Sequence, residues 1–176
     1  MKLRVYALLV IAALPLMAFD CFTDPFTLSL NLKPFNGTYP LTQGPNPNYG
    51  GFFQVDPDTL YDTGSYTLVG ASVYDLRIGT AAPAGVDLGT ASGQVSVNGT
   101  LLLTYSGPWT AFYTPQSLIT SPYIRKNQPG IDVLINAVTT GQLITFVVQG
   151  SITNVPVPAG CTLTASAYVQ AYGQKK

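Results

Sequence analysis

The 176-residue chain has no histidine and no glutamate; its eight acidic residues are the aspartates at 20, 24, 56, 58, 62, 75, 87 and 132. Without histidine, the commonest general base and metal ligand near neutral pH is missing. Asp56, Asp58 and Asp62 are close enough to suggest a calcium loop. The EF-hand pattern nevertheless fails, because Leu60 interrupts the ligand spacing and no glutamate can close the loop. Charge of either sign is scarce, at 9% of residues against roughly 25% in an ordinary soluble domain. The eight basic residues are scattered, and Arg125-Lys126 is only a dipeptide. Nucleic-acid binding, which needs clustered Lys and Arg to neutralise phosphates, is therefore not expected. No cofactor motif is present, and no cofactor is expected.

Long apolar runs are also lacking beyond the beginning of the chain. Lys2 and Arg4 precede a charge-free stretch from Val5 to Phe19, with the small Ala18 where a processing enzyme would cut. This pattern is expected to be a secretory signal over residues 1–18. The run is shorter than the roughly 20 residues a membrane-spanning helix needs. A cut after Ala18 leaves 176 − 18 = 158 residues, one domain's worth, over 19–176. Removing Lys2 and Arg4 leaves six basic against eight acidic residues, a net charge of 6 − 8 = −2. The expected protein is secreted, with no stable membrane span, and covers its surface with Thr, Ser, Asn, Gln and Tyr. Low net charge removes repulsion between neighbouring molecules and favours association.

Two cysteines, Cys21 and Cys161, lie near the ends of the exported chain. Outside the cell the simplest arrangement is one disulfide between them. Two buried thiols and an intermolecular bridge are the alternatives.

Strand signals fill most of what remains. FTLSLNL alternates, with Phe26, Leu28, Leu30 and Leu32 on one face; CTLTASAYVQAY does the same through Cys161, Leu163, Ala165, Ala167, Val169 and Ala171. Between them GFFQV, SYTLVGASVYDLRIG, SGQVSV, TLLLTY, TAFY, IDVLINAV and QLITFVVQGSI read as strands punctuated by Gly, Pro, Asn and Asp. Asn98-Gly99 predicts a two-residue type I′ hairpin turn. Residues 131–138 fit a helical face as well, but their short span between Pro129-Gly130 and Thr140-Gly141 favours a strand. Residues 33–50, with four prolines and three glycines, predict a surface loop. The expected fold is all-β: a single antiparallel β-sandwich, immunoglobulin-like or jelly-roll, of about 8–10 strands.

Candidate sites are few. LYDTGS (60–65) resembles the active-site motif of aspartic proteases, which implies a homodimer supplying two copies of Asp62, because the chemistry needs paired carboxylates. The approach to the motif, Asp56-Pro57-Asp58-Thr59, is polar where that family is apolar, so Asp62 is expected to cap a turn and the protein to be no enzyme. Asn36-Gly37-Thr38 and Asn98-Gly99-Thr100 match the acceptor pattern for N-linked glycans. Tyr105, Trp109, Phe112, Tyr113 and Tyr123 form an aromatic cluster that would either stack on sugar rings, as in a carbohydrate-binding or adhesion module, or serve as core or subunit interface.

In its build the chain resembles β-sandwich subunits of extracellular filaments held by strand donation: archaeal threads and bundling pili, and bacterial chaperone-usher pilins. The resemblance implies a structural subunit that associates with copies of itself, the N-terminal strand of one completing the sheet of the next. Phe26, Leu28, Leu30 and Leu32 then form the donor strand. A Cys21–Cys161 bridge within one subunit would limit the reach of that strand.

Overall fold

The computed structural model describes residues 27–176. The signal expectation for 1–18, together with Cys21 and Phe26, lies outside the described residues. Ten strands are present: β1 (Thr27–Asn31), β2 (Phe35–Pro40), β3 (Asn48–Val55), β4 (Tyr66–Ala81), β5 (Thr90–Val97), β6 (Thr100–Pro108), β7 (Gln116–Ser117), β8 (Ile124–Lys126), β9 (Ile144–Ile152) and β10 (Thr162–Lys175). They form two five-stranded antiparallel sheets, one ordered β1-β10-β4-β7 with β2 also on β10, the other β3-β9-β5-β6-β8. The pairings nest: β2 with β10, β3 with β9, β4 with β7, β5 with β6, alternating between the sheets. That is a long hairpin rolled into a sandwich, the jelly-roll topology. Its tip is Asn98-Gly99, whose positive φ values of 46° and 82° are those of the expected type I′ turn.

The expected alternation of the last strand holds: Leu163, Ala165, Ala167, Val169 and Ala171 are buried. Their small size leaves room for large rings between the sheets. Phe53 stacks on Phe146 with centroids 4.6 Å apart, and Phe35 tilts against Phe146 at 6.1 Å. The two terminal strands are neighbours, as expected, with Thr27 opposite Gln174 and Asn31 opposite Gln170.

Three expectations need correction. Residues 33–50 are not one loop: Phe35, Gly37 and Tyr39 are buried in alternation, and β2 is a strand. Prolines misled because Pro34 and Pro40 bound an edge strand, where a missing N–H costs nothing on the solvent side. Residues 131–138 belong to helix α1 (Gln128–Thr140). Pro129 starts its first turn, Gly141 caps it at φ 67°, and Ile131, Leu134, Ala137 and Val138 form the buried stripe. The helix packs on β4 and β6 and covers the gap between the sheets. Gly130 allows this, since a Cβ there would sit 2.1 Å from the Leu101 carbonyl oxygen. TAFY is the end of a 3-10 helical turn, Trp109–Tyr113, rather than a strand.

Candidate assembly surface

Asp62 sits fully exposed in the β3–β4 connection. Its side chain accepts hydrogen bonds from Gly64 N–H at 3.0 Å and from the Ser65 hydroxyl, and its carbonyl accepts from Ser65 and Tyr66 N–H. The Ser65 and Gly64 donors hold the carboxyl below its usual range. A carboxylate tied into its own turn is a cap, as the sequence implied, and not half of a proton-sharing pair. Asp56 similarly caps the preceding turn, Pro57–Thr59, by accepting from Asp58 N–H at 3.0 Å. Among the described residues no three His, Cys or Asp side chains come together where they could hold a metal ion.

The aromatic cluster is interior. Trp109 and Phe112 are wholly buried and Tyr105 nearly so, while Phe112 packs against Tyr105 and Tyr123 with centroids 6.1 and 5.8 Å apart. Of the candidates only Tyr113 is well exposed, and its hydroxyl donates to Val86 C=O. The cluster closes one end of the sandwich, and a sugar ring has no access to Trp109. Tyr105 also shares a 2.7 Å hydrogen bond with Tyr49 deep between the sheets. Burial pushes the Tyr49 phenol up to about 12 and the Tyr105 phenol higher still.

The expected within-chain disulfide conflicts with the strand register. Thr27 faces Gln174, and Cys161 lies 174 − 161 = 13 residues back along that strand, about 40 Å at roughly 3.3 Å per residue. The six residues from Cys21 to Thr27 span at most about 22 Å, and a disulfide adds only about 6 Å between Cα atoms. Cys161 is buried and has no disulfide partner among the described residues; burial raises its thiol pKa, which keeps the reactive thiolate scarce.

Asn36 is exposed at the second position of β2, not in a loop, and stands on the outer face opposite Ser166. Asn98 is exposed at the hairpin tip, where its oxygen accepts from Thr145 N–H at 2.8 Å and its amide donates to Leu143 C=O at 3.3 Å. Leu28 and Leu30 of the donor-strand candidate are half-buried in β1 on the chain's own β10, and Leu32, just past the end of β1, is buried.

What distinguishes the molecule is the chemistry of its two outer faces. On the first sheet, β10 presents Thr162, Thr164, Ser166, Tyr168, Gln170 and Tyr172. The adjacent β4 contributes one ion pair: the nearly buried Asp75 accepts from Arg77 Nε at 2.6 Å and from Ser117 Oγ at 2.7 Å. Arg77 lies 4.6 Å from the centroid of the Tyr168 ring. Sequence reading missed this group, although the i, i+2 spacing of Asp75 and Arg77 on a strand places both on one face. On the second sheet, Ser92 bonds Ser151 at 3.3 Å and Gln94 stands opposite Gln149. Beside them the ring of Phe52 is 69% exposed, opposite Val147. Arg125, at the margin on β8, is the one ionised residue facing outward there among the described strands. Charges otherwise gather at loops and margins, as in the Asp56–Asp62 connection and at Lys175-Lys176.

No family model and no curated protein matches the chain. Among solved structures it is similar to the decameric BFDV capsid protein, at 11% identity over 86% of this chain and 99% of that one, with a TM-score of 0.35. It is also similar to the structure of Turnip Yellow Mosaic Virus (13% identity, 87% of this chain and 96% of that one, TM-score 0.38) and to that of Desmodium yellow mottle tymovirus (13%, 88% and 90%, TM-score 0.36). All these TM-scores are below one-half, and the fold assignment rests on this chain's own strand order.

Proposed function

We propose that this protein is an exported, non-catalytic structural subunit that builds an extracellular filament or cell-surface assembly from copies of itself. The observation that carries the proposal is the pair of broad, hydroxyl- and amide-rich outer faces, where the one ion pair among the described residues neutralises itself. Such faces cost less to cover than charged ones once their hydroxyls and amides hydrogen-bond across the contact, and they bring no like charges together. Export rests on the 1–18 signal pattern. Glycans at Asn36 and Asn98 are part of the same proposal. A sugar on Asn36 would stand on the first sheet, leaving the second sheet free for subunit contacts. Donation of β1 would place it on residues Gln170–Gln174 of a neighbour, the positions it occupies on its own sheet here.

Electron microscopy of protein purified from its native source tests the reading, with intact-mass analysis on the same sample. Regular multi-subunit assemblies and a chain beginning at Phe19 are expected. Monomers at every concentration would overturn assembly, and an intact Met1 terminus would overturn export.

A further inference from the structure

The free edge of the second sheet is β3, and its hydrogen-bond parity identifies the groups it offers. Ile152 N–H donates to Pro47 C=O at 2.9 Å, so Tyr49, Gly51, Phe53 and Val55 also direct their main-chain groups toward β9. Asn48, Gly50, Phe52 and Gln54 direct theirs the other way. Of these outward N–H groups only that of Asn48 has a partner among the described residues, Asn46 Oδ1 at 2.9 Å. Exposed edges are normally blunted by charge, proline or shortness. The β1/β2 edge follows this rule through Lys33, Pro34 and Pro40, while β7 and β8 are two and three residues long. By contrast, β3 runs eight residues with no charge and no proline.

We propose that β3 is a self-pairing strand: two copies of the chain join β3 to β3, antiparallel about a twofold axis beside Gly51, fusing their second sheets into one. This rests on the assembly reading and names the contact that begins it. Outward groups meet outward groups when residue numbers across the pair sum to twice 51. Asn48 then faces Gln54, and Gly50 faces Phe52 of the second copy. That register uses the strand almost to its ends and lays the exposed Phe52 ring over a glycine. The same arrangement already occurs inside the molecule, where the Tyr39 ring lies against Gly51 and the Phe53 ring against Gly37. Charge compatibility selects a second copy as the occupant. A twofold pair sets like residues close together, and β3 has no charge to oppose itself; just beyond it, Asp56 would face Asn46 rather than another aspartate.

Sedimentation velocity on the full chain under reducing conditions, with amide hydrogen exchange, provides the test. Wild type is expected to dimerise with concentration, slowing exchange at Gly50, Phe52 and Gln54. Phe52→Pro removes an outward N–H without touching the β9 ladder. Phe52→Lys, at an exposed position the fold does not need, sets two cations near the axis. Each variant is expected to weaken dimerisation by about tenfold or more with circular dichroism unchanged. If wild type associates, both variants associate equally well and the three amides exchange freely, the β3 contact is overturned while assembly stands. If wild type never associates, both readings fall. Slow amides in a monomer would mean that another segment of the same chain covers the edge, which also overturns the proposal.

Discussion

Along one margin of the sandwich, between β4 and β6, helix α1 fills the space between the sheets with Ile131, Leu134, Ala137 and Val138. Along the other, between β2 and β3, two rings close the gap, Tyr39 lying against Gly51 and Phe53 against Gly37. The helical margin covers the core and carries charge: Arg125, Lys126 and Asp132 stand exposed around it. At the aromatic margin the core is covered but the β3 main chain is left open, and the buried Tyr39 hydroxyl has no hydrogen-bond partner among the described residues. Burying a core and satisfying a sheet edge are separate physical problems, and this molecule solves both on one side and only the first on the other.

Leu134→Ala should have the largest effect, since the side chain is fully buried under α1. A loss of about 3 kcal/mol is expected in denaturant unfolding, and a value under about 1 kcal/mol would mean the helix is peripheral. Gly130→Ala should follow at about 2 kcal/mol, because the new methyl meets main chain, which yields poorly. Gly51→Ala, on the other margin, should lose about 1.5 kcal/mol. Its Cβ would lie 2.3 Å from a Tyr39 ring atom, and a ring can tilt away. Equal losses at the two glycines would erase this distinction between the margins.

Between the margins, Tyr105→Phe should lose about 1 kcal/mol near neutral pH with the bond to Tyr49. Raised phenol pKa values have a definite sign: their stabilisation is complete below the unfolded value of 10.0 and is lost as pH rises through the folded value, about 12 for Tyr49. Wild type should therefore hold its stability up to about pH 10 and lose it above, with Tyr105→Phe losing less over that range. A chemical denaturation series against pH checks this. The smallest effect belongs to Asp62→Asn, where the side chain is exposed. Its melting temperature should barely move and no acid proteolysis should be found before or after. In wild type the Asp62 carboxyl should titrate below the usual aspartate range by NMR, with its contribution present at neutral pH and lost as pH falls through that lowered value.

Much of the fold was legible because period-two alternation is a local property. β1, β4, β9 and β10 are readable from Leu28–Leu30, Leu76–Ile78, Ile144–Val148 and Leu163–Ala171, and Asn98-Gly99 names its own turn. Helix α1 was misread because Pro129-Gly130 looks like punctuation when it is the first turn of the element, and because its apolar positions satisfy both periods. The aromatic cluster was ambiguous for a different reason. Trp109, Phe112 and Tyr105 have the same composition whether they face solvent or core, and only the closure of the sandwich end decides.

By itself the sequence determined the fold class, the scarcity of charge and the turn chemistry of Asp62, because these depend on residue types and near neighbours. Tertiary structure alone decided that Cys161 is buried just before β10 and far from β1, that Asp75 and Arg77 neutralise one another on an outer face, and that β3 is the edge strand of the second sheet. Those facts depend on register, and register is set by contacts between residues a hundred or more positions apart, as for Thr27 with Gln174.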